Sequence, residues 1–302
     1  MSEPALVAWC PAKVNLALRV LGRRGDGYHE LETWFQAIDL WDRLEVRPHD
    51  RLELACDDPR VPAGPGNLVL QAAAAMRELA ANPKPGAEFR LLKRIPPQGG
   101  LGGGSSDAAG ALLLCSRLWG VSLSPERLHA LAAGLGADVP FFLTGGTARG
   151  TGRGDRIEPA PFLGEVPILL GVPPFGISTA EVFAALRTRL TPPGNDVSVP
   201  PFSGLKCRED NDFSFMTNDL EPVVFPARGE LREFRDALLE VGARGALLSG
   251  SGSTVYGVFP APADLAPIAE RLRKSFAGWS IVATRAVSRG AFVADRVDGG
   301  AG

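Results

Sequence analysis

Hydrophobic and polar positions alternate from Lys13 to Leu21, with Val14, Leu16, Leu18 and Val20 on one side, which predicts a half-buried β-strand. The strand pattern continues at Leu31 to Ile38, Leu44 to Arg47 and Leu52 to Ala55. From Asn67 to Ala80 the period lengthens, and Leu68, Ala72, Ala75, Met76 and Leu79 form a helical stripe. A strand-like run (Glu88 to Ile95) and a helix-like run (Ala108 to Trp119) follow, separated by a dense glycine segment. Ser124 and Pro125 read as N-cap and first-turn residues of a helix through Leu135. The polar, glycine-rich stretch Gly145 to Gly154 reads as a hairpin region closing a first domain.

Beyond the proline-rich segment Glu158 to Pro167 the pattern begins afresh. Strands are expected at Ile168 to Val172, Ala246 to Ser249, Thr254 to Phe259 and Ser280 to Val287. Helices are expected at Thr179 to Leu190, Leu231 to Val241 and Leu265 to Phe276, with a polar, proline-rich insertion at Thr191 to Asn211. This βαββαβ-like order predicts a small α+β sandwich. The domains are therefore expected at 1–162 and 163–296, in an α+β chain.

Composition narrows the class. A chain of 302 residues that is 45% hydrophobic can fill two cores. A formal net charge of -2 offers no whole-chain attraction to nucleic acid or to an anionic membrane. Cys10, Cys56, Cys115 and Cys207 include no CxxC pair, and His29, His49 and His129 are far apart, so no metal site is expected. Glu3 and Pro4 precede any apolar stretch, and no run reaches the length of a membrane span. A cytoplasmic protein with reduced thiols is the expectation.

The candidate chemistry lies in Pro96-Pro97-Gln98-Gly99-Gly100-Leu101-Gly102-Gly103-Gly104-Ser105-Ser106-Asp107. Glycine accepts positive φ and carries no Cβ, so this segment can turn its N–H groups inward and let an anion approach. The helix behind it adds unpaired N–H groups and the positive end of its dipole. Ser105 and Ser106 place hydroxyls where a helix cap or a phosphate contact would want them. The segment is expected to seat a polyphosphate. It is no P-loop, since no Gly-Lys dipeptide occurs, and GxGxxG fails because position 105 is serine.

Three separated motifs then resemble one superfamily. Pro11-Ala12-Lys13-Val14-Asn15-Leu16, the glycine segment, and Leu248-Ser249-Gly250-Ser251-Gly252-Ser253-Thr254 are similar to the three motifs of the GHMP small-molecule kinases. Gly25-Asp26-Gly27-Tyr28-His29-Glu30-Leu31 and Gly136-Ala137-Asp138-Val139-Pro140-Phe141-Phe142 resemble the 4-diphosphocytidyl-2-C-methyl-D-erythritol kinase branch. The resemblance runs from Pro11 to about Val287. It departs at Gln98, where that family usually has glycine.

The resemblance implies an N-terminal ribosomal-protein-like α/β domain with a left-handed βαβ crossover, a C-terminal ferredoxin-like α/β sandwich, and an active site in the cleft between them. It implies transfer of the ATP γ-phosphoryl group, carried with Mg²⁺, to the substrate's 2-hydroxyl, in the supply of isoprenoid precursors. Lys13 and Asp138 would be catalytic: Asp138 as base or orienter of the hydroxyl, Lys13 beside it and the transferring oxygens. Pro96 to Ser106 and Asn67 would bind ATP. Tyr28 and Phe183 would sandwich cytosine, with His29 on its edge, while Asn15, Thr179, Gly250, Ser251 and Gly252 would line the substrate side. The partner implied is a small molecule, with the chain a monomer or weak homodimer.

Taken singly, several of these residues have plainer readings. Asp138 before Pro140 could be a turn or N-cap aspartate, Lys13 a solvated strand lysine, Asn67 a simple N-cap and Phe183 a core residue. The remaining carboxylates and arginines read as solvated surface. Two other functions stand beside the main one. Another GHMP kinase, of mevalonate, phosphomevalonate or homoserine type, should lack the Tyr28-His29 turn. A non-catalytic nucleotide-binding protein of the same fold should have lost Lys13 or Asp138.

Overall fold

A computed structural model of the chain describes residues 5–81, 85–187 and 213–294. Two sheets organise it. The first holds eight strands, and β1 (Leu6–Arg23) and β2 (His29–His49) are its long antiparallel spine. Its main path runs β12-β1-β2-β4-β3, with β3 at Leu52–Cys56, β4 at Gly86–Leu92 and β12 at Phe292–Ala294. The hairpin β5 (Thr147–Gly152) and β6 (Arg156–Ala160) pairs with the first half of β2, and β8 (Thr217–Asn218) lies parallel to β1.

β2 is one strand where the hydrophobic pattern suggested two. A register shift between Pro11 and Ala12 on β1 lets β2 bend at Ile38 to Trp41. Its first half then pairs with β5 and its second half with β4. The helices α1 (Leu68–Arg77), α2 (Gly103–Trp119), α3 (Pro125–Leu135) and α4 (Val139–Thr144) carry the other side of the first core. In α1 the buried residues are Val69, Ala72, Ala73 and Met76, so the stripe is rotated from the expected one and Leu79 is exposed.

The second sheet holds β7 (Pro167–Val172), β9 (Gly245–Leu248), β10 (Val255–Val258) and β11 (Ser280–Arg285) in the order β11-β7-β10-β9. All its pairings are antiparallel. By order along the chain these are strands 4-1-3-2, the expected ferredoxin-like arrangement. The helices α5 (Thr179–Arg187), α6 (Glu221–Ala227), α7 (Gly229–Glu240) and α8 (Ala266–Ser275) complete this half. The expected insertion at Thr191 to Asn211 lies outside the described residues.

A third apolar cluster joins the halves. Val14 and Leu16 on β1 pack with Ile168, Leu170, Tyr256 and Val258 of the second sheet. The opposite side of β1, expected to face water, is enclosed too: Lys13 and Asn15 are both buried, with Lys13 beneath Gly102 and over the Phe35 ring. Among the described residues no helix is long and apolar enough to cross a membrane.

Candidate active site

The glycine segment is shorter as a loop than its sequence suggests. α2 already begins at Gly103, so Gly103 to Ser106 form its first turn, and positive φ is confined to Gln98 (58°), Gly100 (74°) and Gly102 (72°). Ser105 and Ser106 do not cap the helix: Gly102 is the N-cap in left-handed conformation, with no side-chain cap bond. The N–H groups of Gly103, Gly104 and Ser105 are thus left for a ligand, while that of Ser106 donates to Gly102 O. Ser105 lines the cavity in front of them, whereas Ser106 is buried in the helix and does not.

Close packing explains the glycines individually. A Cβ on Gly100 would stand 2.1 Å from the Ser249 carbonyl oxygen, and one on Gly102 would stand 2.7 Å from the Phe142 ring. Gly103 has ordinary helical φ, so its requirement is spatial: a Cβ there would approach Ile95 and the Lys93 ammonium at 3.0 and 3.1 Å. Gln98 takes the left-handed backbone usually left to glycine, at a cost of about 1–2 kcal/mol. Its side chain packs where a Cβ on Gly176 would be.

The turn is held from both halves of the molecule. Lys13 N–H donates to the Leu101 carbonyl at 3.0 Å, and Thr254 N–H donates to Gly99 O at 3.1 Å. The Ser249 hydroxyl donates to Gly100 O at 3.0 Å. The Ser249 to Thr254 turn therefore braces the glycine segment as well as bounding the cavity.

That cavity encloses about 530 Å³, space for a polyphosphate together with part of a second ligand. Lys13 and Asp138 face each other across it. Lys13 Nζ donates to Asn15 Oδ1 at 2.6 Å and lies 3.4 Å from Asp138 Oδ2. Asn15 in turn donates to the Thr33 hydroxyl, which donates to Ala17 O. This chain fixes the lysine while the Asp138 side chain keeps 34% exposure. Asp138 starts α4 but makes no cap bond, so its carboxylate is committed to the cavity and not to the helix.

Asn67 plays both parts open to it. Its Oδ1 accepts from Val69 N–H at 2.9 Å as the N-cap of α1, and it lines the same cavity. Pro96, Pro97, Gln98, Gly99, Gly100, Leu101, Gly102, Gly103 and Gly104 line it too. So do Thr179, Phe183, Gly250 and Ser251, with Thr179 and Ser251 hydroxyls 2.7 Å apart. Gly252 borders a smaller adjoining hollow with Gln98 and Thr179.

The aromatic turn is arranged differently from the expected sandwich. His29 is buried and stacks on Phe183 (centroids 5.0 Å apart, planes at 29°), while Tyr28 is 57% exposed. The Tyr28 ring carries the Arg153 guanidinium at 5.1 Å instead of facing Phe183. Neither Tyr28 nor His29 lines the cavity as it stands.

Sequence reading missed a buried ion cluster beneath the turn. Lys93 Nζ donates to Asp42 at 2.5 Å and to Asp107 at 2.8 Å, and all three side chains are buried. Asp42 also accepts from the N–H groups of Arg94 and Ile95, fixing the strand end that enters the glycine turn. Burial pushes the Asp107 carboxyl up to about 7, with Asp42 adding to the rise and Lys93 opposing it. Burial by itself would lower the Lys93 ammonium, but the two carboxylates outweigh it and hold it above its ordinary value. Asp42, Lys93 and Asp107 are thus not solvated surface. Single residues of each type carry no periodic signal, and only their convergence in space reveals them.

Known proteins match this arrangement. Family models for the N-terminal and C-terminal domains of GHMP kinases match residues 67–146 and 205–278. A 4-diphosphocytidyl-2-C-methyl-D-erythritol kinase from Pelotomaculum thermopropionicum is 43% identical over 275 residues, spanning 89% of this chain and 94% of the relative. One from Geobacter sp. strain M21 is 40% identical, over 92% and 97%. A crystal structure of 4-(cytidine 5'-diphospho)-2C-methyl-D-erythritol kinase superposes with a TM-score of 0.75 at 38% identity, covering 93% of this chain and 98% of that one. A homoserine kinase from Cytophaga hutchinsonii shares the fold at 19% identity and a TM-score of 0.70, over 97% and 98%. With an uncapped helix N-terminus, a paired lysine and carboxylate, and sequence identity sustained over nearly the whole chain, this protein belongs to the GHMP kinase family.

Proposed function

We propose that the chain transfers the γ-phosphoryl group of ATP to the 2-hydroxyl of 4-diphosphocytidyl-2-C-methyl-D-erythritol, a step in supplying isoprenoid precursors. The observation that carries the chemistry is the Lys13–Asp138 pair, 3.4 Å apart in the cavity lined by the glycine turn. The relatives named for this substrate, at about 40% identity, support the acceptor. The enzyme would work in the cytoplasm, on small molecules alone, as a monomer or weak homodimer.

Phosphoryl transfer demands alignment and a home for one proton. Asp138 would orient the hydroxyl and accept its proton as the new oxygen–phosphorus bond forms and the bond to the leaving phosphate oxygen breaks. Lys13, immobilised by Asn15, would face the transferring oxygens without having to reorganise. The uncapped N–H groups of Gly103, Gly104 and Ser105 would hold the nucleotide phosphates, and Asn67 and Leu68 would border the rest of the nucleotide. Bound ATP brings Mg²⁺, which neutralises the phosphate charge. On the acceptor side, Asn15, Thr179, Phe183, Gly250, Ser251 and Gly252 would surround the substrate. Tyr28 and His29 would reach its base after a local rearrangement of the aromatic turn.

The test is a turnover assay with purified protein, ATP-Mg²⁺ and a panel of alcohols. Phosphorylation of the cytidyl substrate is expected, with its uridine analogue clearly poorer, because a mismatched base leaves buried polar groups unsatisfied at about 1–3 kcal/mol each. Efficient turnover of mevalonate, homoserine or galactose, with none of the cytidyl compound, would overturn the acceptor assignment and leave the family standing.

A further inference from the structure

We propose that Arg153 is a specificity residue that binds the diphosphate of the acceptor, an inference that rests on the cytidyl diphosphate substrate proposed above. Four cationic side chains line the cavity among the described residues: Lys13, Arg60, Lys93 and Arg153. Lys13 is engaged with Asn15 and Asp138. Lys93 is buried between two carboxylates. Arg60 is paired with Asp58 and stands near Asn67, at the nucleotide end. Arg153 is the cation that remains for the acceptor side.

Its position fits that task. The guanidinium lies over the Tyr28 ring, and Nη2 donates to Ala133 O at 3.3 Å on α3, the helix whose end leads into Asp138. Arg153 thus bridges the aromatic turn and the approach to the carboxylate. A nucleoside-diphospho polyol with its base at that turn and its hydroxyl at Asp138 must lay its two phosphates between them. Asp155 takes Nε at 3.1 Å and Nη2 at 2.9 Å, so the group is oriented in advance. Nη1 makes no hydrogen bond among the described residues and is available for a charge-assisted bond to a phosphate oxygen. The positive-φ glycines Gly152 and Gly154 on either side make the tight turn that holds it there.

The experiment compares Arg153→Gln with the wild type by calorimetric binding of CDP and of cytidine, together with steady-state kinetics. In the wild type CDP is expected to bind at least about ten-fold more tightly than cytidine, as a charge-assisted contact implies. In Arg153→Gln that advantage should shrink to about three-fold or less, and the acceptor KM should rise about ten-fold, while the ATP KM moves less than about two-fold. A retained CDP advantage with an unchanged acceptor KM would overturn the proposal. A measurement on the unaltered protein covers the case of a variant that does not fold. Phenylglyoxal modification of Arg153, followed by peptide mass, should be slowed about five-fold or more by CDP and not by a non-hydrolysable ATP analogue, and equal rates would count against the assignment. Wild-type protein that never phosphorylates the cytidyl substrate sinks the acceptor assignment itself. Wild-type turnover that is indifferent to Arg153 sinks this inference alone.

Discussion

Lys13 on β1 and Lys93 just past the end of β4 are both buried and both paired with carboxylates, yet their surroundings are opposite. Lys13 meets one carboxylate, Asp138, that keeps a third of its side chain exposed to the cavity. Lys93 meets two, Asp42 and Asp107, that are closed off from water. The first pair is reachable by a substrate and can exchange a proton or stabilise a moving charge. The second spends its charge on fixing the strand end and helix that frame the glycine turn. Burial of a lysine therefore does not identify catalysis. Access to its partner is what makes Lys13, and not Lys93, the candidate for catalysis.

The largest effect expected is on the closed pair. Lys93→Met should lower the unfolding free energy by about 3–5 kcal/mol, because it leaves two carboxylates buried without their cation. Combining it with Asp107→Asn should recover at least about 1 kcal/mol by replacing one of the stranded acids with a group that does not ionise. Denaturant unfolding reads both. Wild-type stability in Lys93→Met would erase the distinction between the two lysines.

Next come the reachable pair. Asp138→Asn and Lys13→Ala should each reduce turnover at least about 10²-fold while ATP still binds and the fold persists. Steady-state kinetics alongside a melting curve provides the check. Near-normal turnover in either variant refutes the catalytic assignment.

The pH response sharpens the contrast. Asp107 holds its proton to about 7 in the folded protein against an ordinary value of 3.8, so between these values the folded state binds more protons. Stability from this group is full below about pH 4 and declines as pH rises towards 7. The rise on Lys93 acts above its ordinary 10.5, outside that window. Asp107→Asn should therefore lose less stability than the wild type between pH 5 and pH 8. Equal losses, read from denaturation midpoints at the two pH values, would contradict this.

The smallest effect concerns the segment that links the two lysines, from Lys93 on one side to the Leu101 carbonyl bonded to Lys13 N–H on the other. Gln98→Gly relieves a left-handed glutamine but frees the unfolded chain, so net stability should change by no more than about 1 kcal/mol. The ATP KM should move less than about three-fold, since Gly102 to Ser105 remain in place. A ten-fold change would mean that the Gln98 contact at Gly176 shapes the nucleotide seat.

Local order was largely legible without coordinates. The helix from Ser124 and Pro125 to Leu135 and the strands near Ile168 to Val172, Ala246 to Ser249 and Thr254 to Phe259 follow from caps, turns and periodicity acting over a few residues. The short-range rules failed where distant chain decides. β2 reads as two strands because its bend depends on a shift in β1 and on two different partners. The start of α2 at Gly103 was hidden because glycine's weak helix propensity is overridden by tight packing against Ile95 and Phe142.

The sequence by itself determined most of the main helices and strands, a glycine segment suited to an anion and, through its five motifs, the resemblance that named Lys13 and Asp138. Tertiary structure alone decided which polar groups meet. It buried Lys13 beneath the glycine turn, against Gly102 and the Phe35 ring, gathered Asp42, Lys93 and Asp107 from three separate parts of the chain, and laid Arg153 over Tyr28. Periodicity reports a residue's exposure to its own element's faces, whereas an ion pair's role depends on distance and solvent access between elements far apart in the chain.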